Sequence, residues 1–183
     1  MKNFQDARDR AARIRLITFD IDGVMTDGGL HYTDDGHELK TFNVQDGLGL
    51  KLLQGAGLEL AIITGRSSGV VTRRAADLGI GHVFQGIGDK RTVLDQLRSG
   101  LGLDWAECAF MGDDLIDLRA MAACGLAIAP ANARTIVQAQ AHWITTAGGG
   151  RGAVREAAEF ILEARDLLSA ALARFLPEVE PRA

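Results

Sequence analysis

The chain has 183 residues, is 47% hydrophobic and 24% charged, and carries a formal net charge of −4, which suits one compact globular domain. No basic stripe favours nucleic acid, and no run of 18 apolar residues could cross a membrane. Two cysteines, Cys108 and Cys124, lack CxxC or Cys/His spacing, so neither zinc nor a disulfide framework is expected, and the reducing cytoplasm is the natural compartment.

In chain order, Met1 to Arg13 is charged and lacks the apolar centre of a signal peptide. Ile14 to Phe19 reads as a buried strand ending at Asp20. A glycine-containing loop follows. Two short strand-like stretches around Asp35-Gly36 then read as a β-hairpin over about 29–42. An isolated hairpin is marginal in water, so another subunit is expected to cover one face. Gln45 to Gln54 turns helical, Leu58 to Ile63 is a second apolar strand, and Ser68 to Leu78 is a helix capped by Gly79. Val83-Phe84 is a short strand, and Asp89 caps a helix running to Leu97. Glu107 to Met111 is a third clear strand, followed by a helix to Ala122, a strand over Gly125 to Ala129 and a short helix over Arg134 to Gln138. His142 to Ile144 is a last strand. One continuous helix is expected from Gly152 to about Leu172, and a frayed, disordered tail over 176–183. Strands alternating with helices, each strand a continuous apolar run, predict an α/β fold: a Rossmann-like parallel sheet with helices on both faces.

Ligands bind such sheets at the carboxyl ends of the strands. There the first strand delivers Asp20 and Asp22, the second Thr64 and Arg66, and the third Asp113 and Asp114 with Asp117 a turn further on. Lys90 opens the helix after the short strand. Single aspartates after strands are commonly helix caps, and Asp89 and Asp104 are read that way. Asp20, Asp22 and Asp113 crowded together repel one another unless a hard cation neutralises them, and Mg²⁺ with oxygen ligands does so. The types present predict phosphoryl transfer. Asp20 is the nucleophile, Asp22 the acid/base, and Thr64 and Lys90 donate to the transferring group. His31, His37, His82 and His142 have no ligand spacing and are assigned to structure or surface, and the cysteines to the core.

The segment Phe19 to Gly28 (FDIDGVMTDG) resembles the first motif of the haloacid dehalogenase superfamily; Ile62 to Arg66 (IITGR) is similar to its second, Lys90 to its third, and Gly112 to Asp117 (GDDLID) to its fourth. Within that superfamily, Asn43 to Gly47 (NVQDG), the TGR of Thr64 to Arg66, and Gly148 to Glu156 (GGGRGAVRE) resemble the capless 3-deoxy-D-manno-octulosonate 8-phosphate (KDO 8-phosphate) phosphatases. The resemblance implies a single catalytic domain over 1–175, with the hairpin standing in place of a cap, and a homotetramer whose neighbouring subunits help close each site. It implies metal ligation by Asp20, Asp113 and the backbone carbonyl of Asp22. It also implies substrate contacts from Asp22, Asn43, Val44, Gln45, Asp46, Gly47, Lys51, Gly65, Arg66, Arg74, Lys90 and Arg151. Gln45 departs from the family's arginine; it can bond a sugar hydroxyl but cannot pair by charge with a carboxylate. The implied reaction is hydrolysis of a sugar acid phosphate in lipopolysaccharide precursor synthesis. A phosphatase for another sugar acid phosphate, such as a nonulosonate 9-phosphate, is the near alternative. A phosphomutase needs a cap to exclude water, and a silent structural subunit would not keep the catalytic set intact.

Overall fold

The computed structural model describes residues 4–176. Six parallel strands form one sheet in the order β5-β4-β1-β6-β7-β8: β1 (Leu16–Phe19), β4 (Glu59–Ile63), β5 (His82–Phe84), β6 (Cys108–Met111), β7 (Leu126–Ala129) and β8 (Trp143–Ile144). β2 (His31–Tyr32) and β3 (Glu38–Leu39) form a separate antiparallel hairpin, with Tyr32 opposite Glu38.

Alternation along the strands sends side chains into two cores, one on each face. Ile17, Phe19, Leu60, Ile62, Met111 and Ile128 pack under α1 (Phe4–Ala11), α2 (Val44–Gly55), α3 (Gly69–Leu78) and α7 (Ala153–Ala164). Leu16, Ala61, Ile63, Phe110, Ala127 and Ala129 pack under α4 (Lys90–Gly100), α5 (Leu118–Ala123) and α6 (Thr135–Gln140). Both faces being covered, the strands carry almost no polar residue, as the apolar runs predict. On the first face α2 and α7 lie close enough that a Cβ at Gly49 would stand 3.0 Å from Arg155 Cα, tighter than packed interiors normally allow.

One element was not anticipated, and one expectation needs correction. The charged N-terminus contains a helix, α1, that polar composition concealed: Ala7 and Ala11 are fully buried beneath it, and Phe4 meets Phe160 with ring centroids 5.8 Å apart. The final helix is also not continuous. α7 ends at Ala164 and α8 (Leu168–Ala173) starts afresh, because Asp166 adopts φ 57° and the Leu167 amide closes back on the Leu162 carbonyl at 2.8 Å. The tail expected over 176–183 lies, beyond Leu176, outside the described residues. No helix among the described residues is long and apolar enough to cross a membrane.

Candidate active site

The β1 register, Phe19 beside Ile62 on one side and Met111 on the other, brings the loops after β1, β4 and β6 to one edge. Asp20, Thr64 and Asp113 follow those three adjacent strands. The Asp20 amide still pairs with the Met111 carbonyl at 3.0 Å, so the carboxylate is carried by the last rung of the ladder rather than by a loose loop.

Lys90, the first residue of α4, is fully buried and lies between two carboxylates: Nζ is 2.8 Å from Asp20 Oδ1 and 2.6 Å from Asp117 Oδ1. A buried ammonium is retained only when so paired. Asp117 in turn accepts the Asp113 and Asp114 amides on Oδ2, at 3.0 and 3.2 Å, and thereby shapes the turn after β6. Burial pushes the Asp20 carboxyl up to about 6, reinforced by Asp117 and opposed by Lys90. Burial pushes Asp113 up to about 7, with the charges of Asp117, Asp20 and Asp114 adding to the effect. Asp20, Asp113 and Asp117 each offer a carboxylate oxygen, all within 4.8 Å of one another, and Asp113 Oδ1 is buried without a hydrogen-bond partner. Hard oxygen donors, crowded charge and an orphaned acceptor fit a divalent cation. Gly23 makes the arrangement possible. Its φ of 96° is left-handed, and a Cβ there would overlap the Asp113 carboxylate.

Asp22, three residues past the end of β1, faces the hairpin. One carboxylate oxygen, Oδ1, is bonded by Lys40, whose side chain is 1% exposed and which also pairs with Glu38 at 3.3 Å. Arg66 Nε stands 3.6 Å from the other oxygen, Oδ2, while its Nη2 bonds Tyr32 Oη at 2.8 Å and Glu38 Oε1 at 3.0 Å. Arg66 is thus at the site as expected, but it is held by the hairpin. Thr64 is buried at the end of β4, with Gly65 exposed beside it.

The segment after the hairpin divides. Asn43 caps α2, its side-chain oxygen taking the Gln45 amide at 2.7 Å, and its Nδ2 reaches the Gly150 carbonyl at 3.4 Å. Val44 and Gln45 are exposed at the start of α2, free to meet a ligand or a neighbour. Asp46 is a correction. It is buried, and its carboxylate accepts the Gly152 amide at 3.3 Å and the Arg155 amide at 2.8 Å, capping α7 rather than facing substrate. Gly47 leaves the space that Arg74 fills; Arg74 donates to the Asn43 carbonyl at 3.3 Å and covers the Phe42 ring at 5.6 Å, supporting α2 from beneath. Lys51 is a second correction. Its ammonium lies beside Gly79, where α3 ends before β5, at the amino edge of the sheet and about 10 Å along α2 from Val44. Arg151 is exposed, 3.6 Å from Asp27, on a loop whose Gly150 amide bonds the Val24 carbonyl at 3.0 Å.

A 3-deoxy-D-manno-octulosonate 8-phosphate phosphatase of Yersinia pestis is 45% identical over 166 residues, covering 91% of this chain and 89% of that protein. The chain belongs to the KDO 8-phosphate phosphatase family. The family profile of the haloacid dehalogenase-like hydrolases matches residues 80–154. The phosphatase of Moraxella catarrhalis, solved with magnesium ion, phosphate ion and KDO, has a TM-score of 0.93 and 45% identity, covering 95% of this chain and all of that one. The cobalt-bound phosphatase of Haemophilus influenzae gives 0.85 and 40%, covering 88% and 94%. The KDO 8-phosphate phosphatase fold thus spans nearly the whole chain here.

Sequence reasoning missed two features of the site. Asp117 had a visible signal, a carboxylate one turn beyond Asp113, but its use as the partner of Lys90 needed the fold. Lys40 and Glu38 had none, since nothing in a short polar hairpin marks which side chain folds back onto Asp22.

Proposed function

We propose that this chain hydrolyses KDO 8-phosphate to KDO and inorganic phosphate with Mg²⁺, through an aspartyl-phosphate intermediate, in lipopolysaccharide precursor synthesis. The observation that carries the reading is the Asp20–Lys90–Asp117 chain of contacts beside Asp113 at the carboxyl edge. It lies in a fold that matches, over 95% of the chain, a relative solved with magnesium, phosphate and KDO.

A carboxylate oxygen of Asp20 attacks phosphorus, and the bond from phosphorus to the sugar oxygen breaks. Asp22 donates its proton to the departing alkoxide. It then takes a proton from the water that attacks the aspartyl-phosphate, which releases phosphate and restores Asp20. Lys90 and Thr64 supply donors to the transferring group. Asp20, Asp113 and the Asp22 carbonyl would hold the Mg²⁺, which lowers the repulsion between nucleophile and phosphoryl oxygens. Gly65, Arg66, Asn43, Val44 and Gln45 form the rim toward the sugar acid, with Arg151 at its outer margin and Lys90 buried beneath, at the phosphoryl group. Gly47 and Arg74 act behind them as supports.

A homotetramer in the cytoplasm completes the proposal. Leu30, Tyr32 and Leu39 of the hairpin region, with Val44 of α2, are each between 48% and 80% exposed, an apolar surface suited to a second subunit. The test is phosphate release from KDO 8-phosphate with Mg²⁺ and with excess chelator. The expected result is turnover only with the cation, and none for Asp20→Asn; full activity in chelator would contradict the metal role.

A further inference from the structure

We propose that Lys40, on the hairpin, is a positioning residue that holds Asp22 in the pose from which it deprotonates the water attacking the aspartyl-phosphate. The inference rests on the acid/base reading of Asp22 given above and adds the group that directs it.

Lys40 follows β3 directly, and its side chain folds inward until 1% is exposed, although most of the hairpin lies in solvent. A lysine on a polar two-stranded ribbon ordinarily extends into water. This one gives up hydration to bond Asp22 Oδ1, with Glu38 at 3.3 Å as its second acid. Glu38 also takes Arg66 at 3.0 Å, so two carboxylates and two cations close a neutral ring around Asp22. Arg66 Nε is 3.6 Å from Asp22 Oδ2, too far for a hydrogen bond. One oxygen is therefore held and the other is left open. The fixed oxygen sets the rotamer; the open one meets the reacting proton. In the hydrolytic step a water O–H proton passes to Asp22 Oδ2 as the water oxygen bonds phosphorus and the Asp20–phosphorus bond breaks. The hairpin thereby contributes a constraint on the chemistry as well as an outer wall.

A substrate that needs no proton for its leaving group separates this role from binding. With p-nitrophenyl phosphate, Lys40→Met forms the aspartyl-phosphate and releases about one nitrophenolate per site in a burst. It then turns over about 10- to 100-fold more slowly than wild type, with kcat and KM falling together so that kcat/KM is little changed, the range usual when a group supporting a reacting residue is removed. Lys40→Arg, which keeps a cation, recovers most of the steady rate. Lys40→Gln, milder in a buried position, gives the same burst with a smaller slowing if the methionine variant does not fold. An undiminished rate, or a loss that appears in KM without a burst, overturns the proposal. Asp22→Asn run alongside keeps the two readings apart. A burst in Asp22→Asn without one in the Lys40 variants sinks only Lys40, whereas no burst in Asp22→Asn sinks the acid/base reading itself.

Discussion

At the scale of single residues, the site is a crowd of acids in which Asp20 and Asp117 share Lys90, Asp22 takes Lys40, and Asp113 is left with an unpartnered oxygen. Asp20 and Asp113 hold protons more tightly in the folded chain than free carboxyls do, at about 6 and about 7. The sign follows by linkage. Between about pH 4 and pH 7 the folded state binds more protons than the unfolded one, so without a divalent cation stability falls as pH rises through that window. The carboxyls of Asp35, Glu38 and Glu107 are held below their usual range by hydrogen bonds, so their contribution is lost only at more acid pH. Thermal unfolding from pH 5 to pH 7.5 in chelator should show a falling midpoint. Added Mg²⁺ should raise the midpoint more at pH 7.5 than at pH 5, whereas a rise equal at every pH would contradict the assignment. Asp46 belongs to the same scale with a different role. Asp46→Asn should lower stability by about 1–3 kcal/mol, because one of two backbone amides at the start of α7 loses a charged acceptor. The check is the shift in denaturant midpoint; an unchanged midpoint with lost substrate affinity would return Asp46 to the binding surface.

At the scale of elements, what could be read in advance depended on whether the signal was local. Strands β1, β4 and β6 are continuous apolar runs because helices cover both faces, so they and the acids that end them were legible residue by residue. Asp20, Thr64, Lys90 and Asp113 therefore fell where the motifs put them. α1 was not legible, since its buried stripe is only two alanines among charges. Nor was the break after α7, where a single left-handed aspartate interrupts an otherwise amphipathic run. The same division explains the binding segment. The family resemblance alone groups Asn43, Asp46 and Lys51, and only the packing of α2 on α7 and α3 makes Asn43 the cap, turns Asp46 to α7 and sends Lys51 to the far edge. Gly49→Leu tests that packing: the added side chain would meet Arg155 at the closest approach of α2 and α7. Overpacking of this kind costs about 1–3 kcal/mol, read as a lowered denaturant midpoint; a midpoint within experimental error of wild type would show that the helices can separate freely.

At the scale of the whole molecule, the described residues set a hairpin beside the carboxyl edge of the sheet, and the proposed tetramer would close the site with a neighbouring subunit. The exposed Tyr32 and Leu39 side chains offer a surface for a second copy. On the proposed tetramer, Tyr32→Asp combined with Leu39→Asp should give smaller species than wild type in light scattering behind size exclusion, with a fall in kcat/KM of tenfold or more. A monomeric wild type of full activity would remove the subunit from the account. The remaining choice is which phosphate ester fits the rim proposed for Gln45, Val44 and Arg66. It is settled most directly by kcat/KM for phosphate release, in Mg²⁺, across KDO 8-phosphate, a nonulosonate 9-phosphate and simple hexose 6-phosphates. KDO 8-phosphate should lead the hexose phosphates by at least about 100-fold, the discrimination expected when polar groups built for a substrate are left unpaired by its analogues. Equal rates on KDO 8-phosphate and hexose phosphates would contradict it.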